Sequence, residues 1–216
     1  MITLALDAST YTGTVAVLRD SQVLADGEAA MRGRDAEALM PRVADVLREA
    51  GVVPRELNRV VCGAGPGSFT SLRIAASIAK GVAFGCGCPL FAVSSLALIL
   101  AGEGLPPTGR YLAALDALRG EVYVEAFAVQ EGGAVDVIPT QHIVTQNELA
   151  PLAESLGASL VGPGQTAFRR ARAGGVGTLE RLIVPADLSA WEPNYGRKAE
   201  AQARWEAEHH RPLPLI

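Results

Sequence analysis

The stretch Ile2-Thr3-Leu4-Ala5-Leu6-Asp7-Ala8-Ser9-Thr10 begins the chain with an apolar run that ends in an aspartate and a polar turn. Two more β-rich runs follow at residues 14–18 and 22–29, and short polar turns separate the three. Short β-rich runs separated by turn residues are typical of an antiparallel meander. The opening of the chain therefore predicts three neighbouring strands, with Asp7 at the end of the first.

Helices and strands alternate after this meander. Apolar residues recur at helical spacing in three segments, and Pro41 predicts a kink or a later start in the first of them. The order β-β-β-α-β-α-β-α predicts an α/β fold with a mixed sheet. The predicted elements are strands at 59–63 and 90–94 and helices over 35–50, 70–85 and 95–101.

The second part of the chain repeats the beginning of the first in weaker form. Residues 102–109 hold three Gly and two Pro, which marks a boundary between a first part, 1–101, and a second, smaller part, 110–216. Beyond it, an apolar run ends at Asp116 and a turn leads into another apolar run, which suggests an internal duplication. The elements predicted there are strands at 111–116, 121–129, 135–144 and 159–161, a helix from a capping box at Thr145 and Glu148 to residue 156, and a helix over 198–209.

Composition excludes several classes of protein. The 216 residues are 49% hydrophobic and 19% charged, which excludes intrinsic disorder, and the net charge of −4 offers no basic surplus for holding nucleic acid unaided. No apolar run approaches the roughly 20 residues of a membrane span, and no signal peptide is recognised at the N-terminus. A soluble, cytoplasmic protein is expected.

The residues that could hold a metal or act as nucleophiles are few and scattered. The three histidines, His142, His209 and His210, form neither an H-x-x-x-H nor an H-E-x-x-H motif. The three cysteines are too few for a four-thiolate site and odd in number for a disulfide framework. The sequence therefore predicts no metal site, and it assigns no catalytic residue.

The glycine-rich loop at residues 63–68 allows two interpretations. Its backbone amides, before a helix, could cradle an anion, although it fits neither a Walker loop nor G-x-G-x-x-G. It could equally be a plain strand-to-helix turn with Ser68 or Thr70 as N-cap. Asp7 and Asp116 could likewise meet across a cleft or cap their own turns. The candidate phosphate or nucleotide contacts are Asp7, Ser9, Thr10, Gly65, Gly67, Ser68 and Asp116.

Four blocks of the sequence are similar to a known family. The segment 4–10 resembles the opening of actin-like ATPase-fold proteins. Gly65-Pro66-Gly67-Ser68-Phe69-Thr70-Ser71-Leu72-Arg73-Ile74 resembles the TsaB (YeaZ) family, and segments 116–123 and 193–204 are similar to further blocks of that family. The resemblance covers residues 1–127 well and the remainder loosely.

This resemblance implies an actin-like ATPase fold of two related halves, each with a mixed sheet of the five-stranded type, the second half being reduced. It implies a non-catalytic role in making N6-threonylcarbamoyladenosine in tRNA, by binding and activating the catalytic paralogue TsaD. A TsaE-like ATPase would be a third partner, and tRNA would be contacted only through the complex. The resemblance leaves open whether the chain forms a homodimer without the partner. The chain alone would need no cofactor, and ATP or ADP in the complex is left open.

Two enzyme hypotheses compete with this interpretation. The first is an independent ATPase or kinase of the actin-like fold, and the second is a metalloprotease. The turn at 117–120 lacks the glycine string of true actin-like ATPases, and Gly162-Pro163-Gly164 resembles only a remnant of an adenosine-binding loop. Ser71 and Asp35 also stand where the family usually has Gly and His. The chain lacks the histidine motif that would hold the metal of a metalloprotease, so the accessory role is favoured.

The helices over 35–50 and 70–85 are expected to carry the partner surface, because the side of the later helix with Leu72, Ala76 and Ala83 is too apolar for a face that meets only water. The resemblance to the TsaB family implies the same surface for pairing with TsaD. The later helix holds only two charged residues, and its Ile74, Ile78 and Val82 ridge is expected to pack on the chain's own sheet. The opposite side, together with the first helix, would then face the partner or, alternatively, be covered by the chain itself. The predicted interface residues are Leu39, Met40, Val43, Val46, Leu72, Arg73, Ala76, Lys80 and Ala83.

Overall fold

The chain forms two mixed β-sheets with helices packed on them. The computed structural model describes residues 1–32, 38–165, 167, 171–196, 205 and 208–209. Its strands are β1 (Ile2–Asp7), β2 (Thr12–Arg19), β3 (Gln22–Ala30), β4 (Arg59–Gly63), β5 (Leu90–Val93), β6 (Gly109–Leu118), β7 (Glu121–Val129), β8 (Val135–Ile138), β9 (Ile143–Thr145), β10 (Ser159–Val161) and β11 (Val184–Ala186). Its α-helices are α1 (Leu39–Glu49), α2 (Phe69–Cys86), α3 (Ser95–Ala101) and α4 (Gln146–Leu156), with 3-10 turns at Pro54–Glu56, Ala173–Thr178 and Glu180–Leu182.

The first sheet has the order β11-β5-β4-β1-β2-β3. The meander β1-β2-β3 is antiparallel, whereas β4 and β5 join β1 in parallel. Successive side chains of a strand point to opposite faces, so Leu4 and Leu6 pack with α1 and α2 while Ala5 packs with α3. The strand β1 is buried on both faces for this reason, and the predicted meander is confirmed.

The second sheet repeats the topology of the first. Its order, β10-β6-β7-β8, has the same sequence of antiparallel and parallel neighbours as β4-β1-β2-β3, and β9 also pairs with β7. The helix α4 lies between β9 and β10 in the chain, as α1 lies between β3 and β4. This match supports the internal duplication, and the α/β architecture of two related mixed sheets is as predicted.

Two details of the second part differ from the prediction. The single strand predicted over 135–144 is wrong: β8 and β9 pair with separate stretches of β7, because Pro139 has no N–H to continue the ladder. The short strand β11 was not predicted, and it pairs with β5 in the first sheet. The division into 1–101 and 110–216 stays a prediction, although β11 shows that the second part returns to the first sheet.

The helix boundaries follow local chemistry. Pro41 lies in the first turn of α1, where a missing N–H costs nothing, so the predicted later start is confirmed. The predicted capping box of α4 is confirmed, since Glu148 Oε2 accepts hydrogen bonds from Thr145 N at 2.8 Å and Thr145 Oγ1 at 2.7 Å. Residues 35–37 of the first predicted helix, and most of the one over 198–209, lie outside the described residues. Within the described ranges, no helix is both long and apolar enough to cross a bilayer.

Candidate functional site

Asp7 is fully buried where β1 ends. Its Oδ1 accepts hydrogen bonds from Ser9 N at 3.0 Å and Ser9 Oγ at 2.7 Å, and its Oδ2 accepts one from Ser95 Oγ at 2.6 Å. Burial raises the pKa of this carboxyl, and the bonds from Ser95 and Ser9 oppose the rise. Asp7 therefore caps its own turn and ties β1 to the start of α3, rather than facing open solvent.

Asp116 serves a different turn from Asp7. It is exposed, and its Oδ1 accepts a hydrogen bond from Leu118 N at 2.8 Å in the β6–β7 turn. Thr10 closes a third turn, because its Oγ1 donates to Thr12 O and accepts from Thr12 N. The turn-capping alternative therefore describes both aspartates, and no described hydrogen bond or ion pair joins them.

The glycine-rich loop uses several of its amides within the protein. Gly65 N donates to Ser95 Oγ at 3.0 Å, Ser68 N donates to Ser9 O at 2.8 Å, and Ala64 N donates to Val93 O at 2.7 Å. Ser68 stands at the N-cap of α2 but makes no capping bond. These three amides are not free for an anion. The nucleotide contact stays a prediction, and the structure favours the strand-to-helix turn.

Gly67 brings this loop against the turn after β1. A Cβ built there would lie 2.2 Å from Ser9 O and 2.6 Å from Ser9 Cα, which are backbone atoms that cannot move aside cheaply. The loop therefore packs Gly67 and Ser68 against Ser9, next to the turn that Asp7 caps. The requirement for glycine at residue 67 is explained by packing alone.

Six of the nine predicted interface residues are buried within the chain itself. Leu39, Val43, Val46, Leu72 and Ala83 have no exposed surface, and Ala76 is 5% exposed. These six residues pack in the chain's own core instead of facing a partner, and the packing of α2 on the sheet explains why. The side of α2 that faces the sheet is lined mainly by alanines, which let the helix approach β4 closely, and the larger Ile74, Ile78 and Val82 lie half-exposed at its border.

The solvent side of the two helices is defined by other residues. On α2, the exposed Arg73, Ser77 and Gly81 recur at intervals of four, and Phe84 follows with 81% exposure. On α1, Met40 is 48% exposed. Of the predicted set, only Met40, Arg73 and the half-buried Lys80 reach this side. We call the surface formed by Met40, Arg73, Ser77, Ile78, Gly81 and Phe84 the outer helical face.

A cavity next to Gly65 was missed by sequence analysis. Glu125 of β7, Ser94 before α3, and His142 in the loop before β9 line it together. A signal was present in the sequence, because Glu125 interrupts the apolar alternation of Tyr123, Phe127 and Val129 along β7. Among the described residues, no group of three His, Cys, Asp or Glu side chains could hold a metal.

Comparison of the sequence with protein families gives one consistent answer. Residues 31–190 match the model for the family described as TsaD, tRNA N6-adenosine threonylcarbamoyltransferase. The tRNA threonylcarbamoyladenosine biosynthesis protein TsaB of Bacillus subtilis is 30% identical, over 95% of this chain and 98% of that protein. The TsaB protein of Escherichia coli is 37% identical, over 60% of this chain and 56% of its own length.

Solved structures agree with the sequence comparison. A Pseudomonas aeruginosa protein described as similar to peptidase YEAZ superposes with a TM-score of 0.75 at 27% identity, covering 91% of this chain and 99% of that one. A structure described as YeaZ from the same organism superposes with a TM-score of 0.72 at 26% identity, over 90% and 99% of the two chains. Near-complete coverage in both directions, together with the full-length match to the Bacillus protein, shows that the chain belongs to the TsaB (YeaZ) family, with an actin-like fold.

Proposed function

We propose that the chain is a non-catalytic accessory subunit in the synthesis of N6-threonylcarbamoyladenosine in tRNA, and that it binds and activates a TsaD-type catalytic paralogue. The observation that carries the proposal is the 30% identity with a TsaB protein over 98% of that protein's length. A TsaE-type ATPase is the third expected partner, and the complex is where ATP or ADP would bind.

The outer helical face is the surface that we assign to the TsaD-type partner. The chain itself matches the TsaD family model over a range that includes α1 and α2, so a paralogue of this fold would carry corresponding helices. Two related chains can then pair about a pseudo-twofold axis through the same face, as identical chains do in a homodimer. A homodimer in the absence of the partner would use this face too.

The composition of the outer helical face suits a close helix contact. A Cβ built at Gly81 or at Gly85 meets no atom within 4 Å, so a neighbouring helix can approach the backbone of α2 there. Phe84 on α2 and Met40 on α1 offer exposed apolar side chains. An interface of ordinary size would bury about 800 Å² on each partner.

A non-catalytic role is supported by what the chain's own polar residues do. The chain has no H-x-x-x-H motif, whereas the catalytic paralogue is expected to hold its metal with one. Asp7 is buried and accepts three hydrogen bonds from Ser9 and Ser95, and Asp116 caps a hairpin turn. Both aspartates therefore serve the chain's own turns.

Turnover of ATP separates the accessory role from an independent ATPase or kinase. We expect the purified chain to hydrolyse no ATP above background, alone or with either partner separately, and the reconstituted mixture with TsaD-type and TsaE-type subunits to do so. ATPase activity of the isolated chain that Asp7→Asn or Asp116→Asn abolishes would contradict the proposal and favour the independent enzyme.

Binding of tRNA by the isolated chain should be weak. Affinity for nucleic acid depends on clustered Lys and Arg that displace counterions, and this chain carries a net charge of −4. At about 150 mM salt we expect a dissociation constant weaker than about 100 µM, measured by fluorescence anisotropy with labelled tRNA. Adding the TsaD-type subunit should tighten binding at least about tenfold. Tight binding by the chain alone that persists at high salt would be the opposite result.

A further inference from the structure

A cavity of about 310 Å³ lies between the first sheet and β7 of the second. Its walls come from five segments of the chain: residues 64–66, the start of α3, the strand β7, His142 before β9, and residues 194–196. The last segment is held across the opening, because Asn194 N donates to Ala64 O at 2.7 Å and Tyr123 Oη donates to Tyr195 O at 3.2 Å. This volume is at the lower end of the range for small-molecule pockets.

Glu125 brings a carboxyl group to the core-facing side of β7. Its neighbours on that side, Tyr123, Phe127 and Val129, are all at most 4% exposed and belong to the core between the sheets. A carboxylate in such a row is costly unless a partner compensates its charge. Glu125 itself is half-buried, and none of the described Arg and Lys side chains forms an ion pair with it. Burial raises its pKa, and the hydrogen bond from Ser94 and the electrostatic interaction with His142 oppose the rise only in part. A carboxylate at this position of β7 therefore destabilises the fold unless another group compensates its charge.

Only part of the hydrogen-bonding capacity of Glu125 is used within the described chain. Ser94 Oγ donates to Oε2, while the same Ser94 Oγ accepts from Leu96 N and Ala97 N as the N-cap of α3. These bonds fix the serine, and no described residue donates to Oε1. A ligand in the cavity with an N–H group could donate a hydrogen bond to Oε1 of Glu125.

The other residues that line the cavity indicate which ligand charge it favours. The lining holds the Glu125 carboxylate and one histidine, His142, and among the described residues no Arg or Lys, so a phosphate or carboxylate ligand meets no permanently charged cation there. Pro66, Leu96 and Val124 offer apolar surface for a carbon skeleton. His142 is exposed, and its carbonyl oxygen is bound by Val124 N at 3.0 Å, which holds the residue beside the cavity.

We propose that this cavity binds a small organic amine, with its ammonium group on the Glu125 carboxylate and its carbon skeleton against Pro66, Leu96 and Val124. The site is separate from the outer helical face, and it does not depend on the partner proposed above. The alternative is that Glu125 only clamps the second sheet to α3 through Ser94, without a ligand.

Three compounds of nearly equal shape and different charge test the proposal. Benzylammonium, benzyl alcohol and benzoate are titrated at constant ionic strength and neutral pH, and the amide signals of Gly65, Leu96 and Gly196 are followed by NMR. We expect saturable shifts with benzylammonium, binding at least about tenfold weaker with the alcohol, and weaker still with benzoate. Equal binding of benzylammonium and the alcohol, or no binding of any of the three, would overturn the proposal.

A matched pair of variants assigns the effect to Glu125. Glu125→Gln keeps an acceptor for Ser94 and removes the charge, so it should fold and bind benzylammonium no better than the alcohol. Glu131→Gln removes the same charge at an exposed turn residue and should bind as the wild type does. If Glu125→Gln retains wild-type affinity for benzylammonium, the ammonium group does not lie on Glu125 and the proposal is overturned. Should that variant unfold, the comparison of the three compounds on the wild-type protein decides.

Discussion

Gly81→Arg is expected to lower the affinity of the chain for a TsaD-type partner at least about 100-fold, which corresponds to about 2.7 kcal/mol. The added side chain would stand in the middle of the outer helical face and hold two helices apart, and its charge would lose water on binding. The isolated chain should still fold with this arginine, because a Cβ at Gly81 meets no atom within 4 Å. Arginine also has a higher helix propensity than glycine. Copurification with the tagged partner and titration calorimetry measure the loss.

The control places the same charge on another helix. Ser155→Arg adds an arginine at an exposed position of α4 and should leave partner binding unchanged. Ala76→Arg is unsuitable as an interface probe, because Ala76 is 5% exposed and the substitution should unfold the monomer. If Gly81→Arg binds the partner as tightly as Ser155→Arg does, the interface lies elsewhere on the molecule.

Asp7→Ala should lower the free energy of unfolding by about 3 kcal/mol. Ser9 N, Ser9 Oγ and Ser95 Oγ would each lose an acceptor, and both serines are at most 2% exposed, so water cannot replace the carboxylate. Urea denaturation measures the change. Asp116→Ala, which removes one hydrogen bond in an exposed turn, should cost less than about 1 kcal/mol. Similar losses for the two variants would show that Asp7 is not the structural tie described above.

The pH dependence of the same site has a definite sign. Burial raises the pKa of Asp7, so the fold favours its neutral form. The resulting stabilisation is complete below the ordinary pKa of an aspartate and is lost as pH rises through the raised value. Asp7→Asn lacks this titration. The stability of the wild type relative to Asp7→Asn should therefore be greater at about pH 4 than at pH 7, and an unchanged difference would contradict the shift.

Much of the fold follows from local patterns, since strands that alternate and helices with clear stops are recognisable from the chain alone. The strands β1 and β4 and the helix α3 begin and end where they were predicted. The break between β8 and β9 follows from Pro139, which is also visible in the sequence. The strand β11 has no such signal, because three residues acquire their pairing only from the distant β5.

The orientation of α2 shows why surfaces are harder to predict than elements. Hydrophobicity scales place Ile74 and Ile78 at the centre of the core, yet the alanines face the sheet because small side chains allow the closest approach. An 18-residue helix with two charged residues has no clear polar stripe, so a rotation of about 100° changes which residues are outside. The cavity at Glu125 depends on residues from both sheets, and spacing along the chain could not join them.

Formation of N6-threonylcarbamoyladenosine on unmodified tRNA tests the accessory role most directly. The reaction contains the TsaD-type and TsaE-type subunits of the same genome, ATP and a threonylcarbamoyl donor, and the modified nucleoside is measured by mass spectrometry after digestion of the tRNA. The account predicts sustained modification only when this chain is added, and little when Gly81→Arg replaces it. Modification at the full rate without the chain would contradict the account.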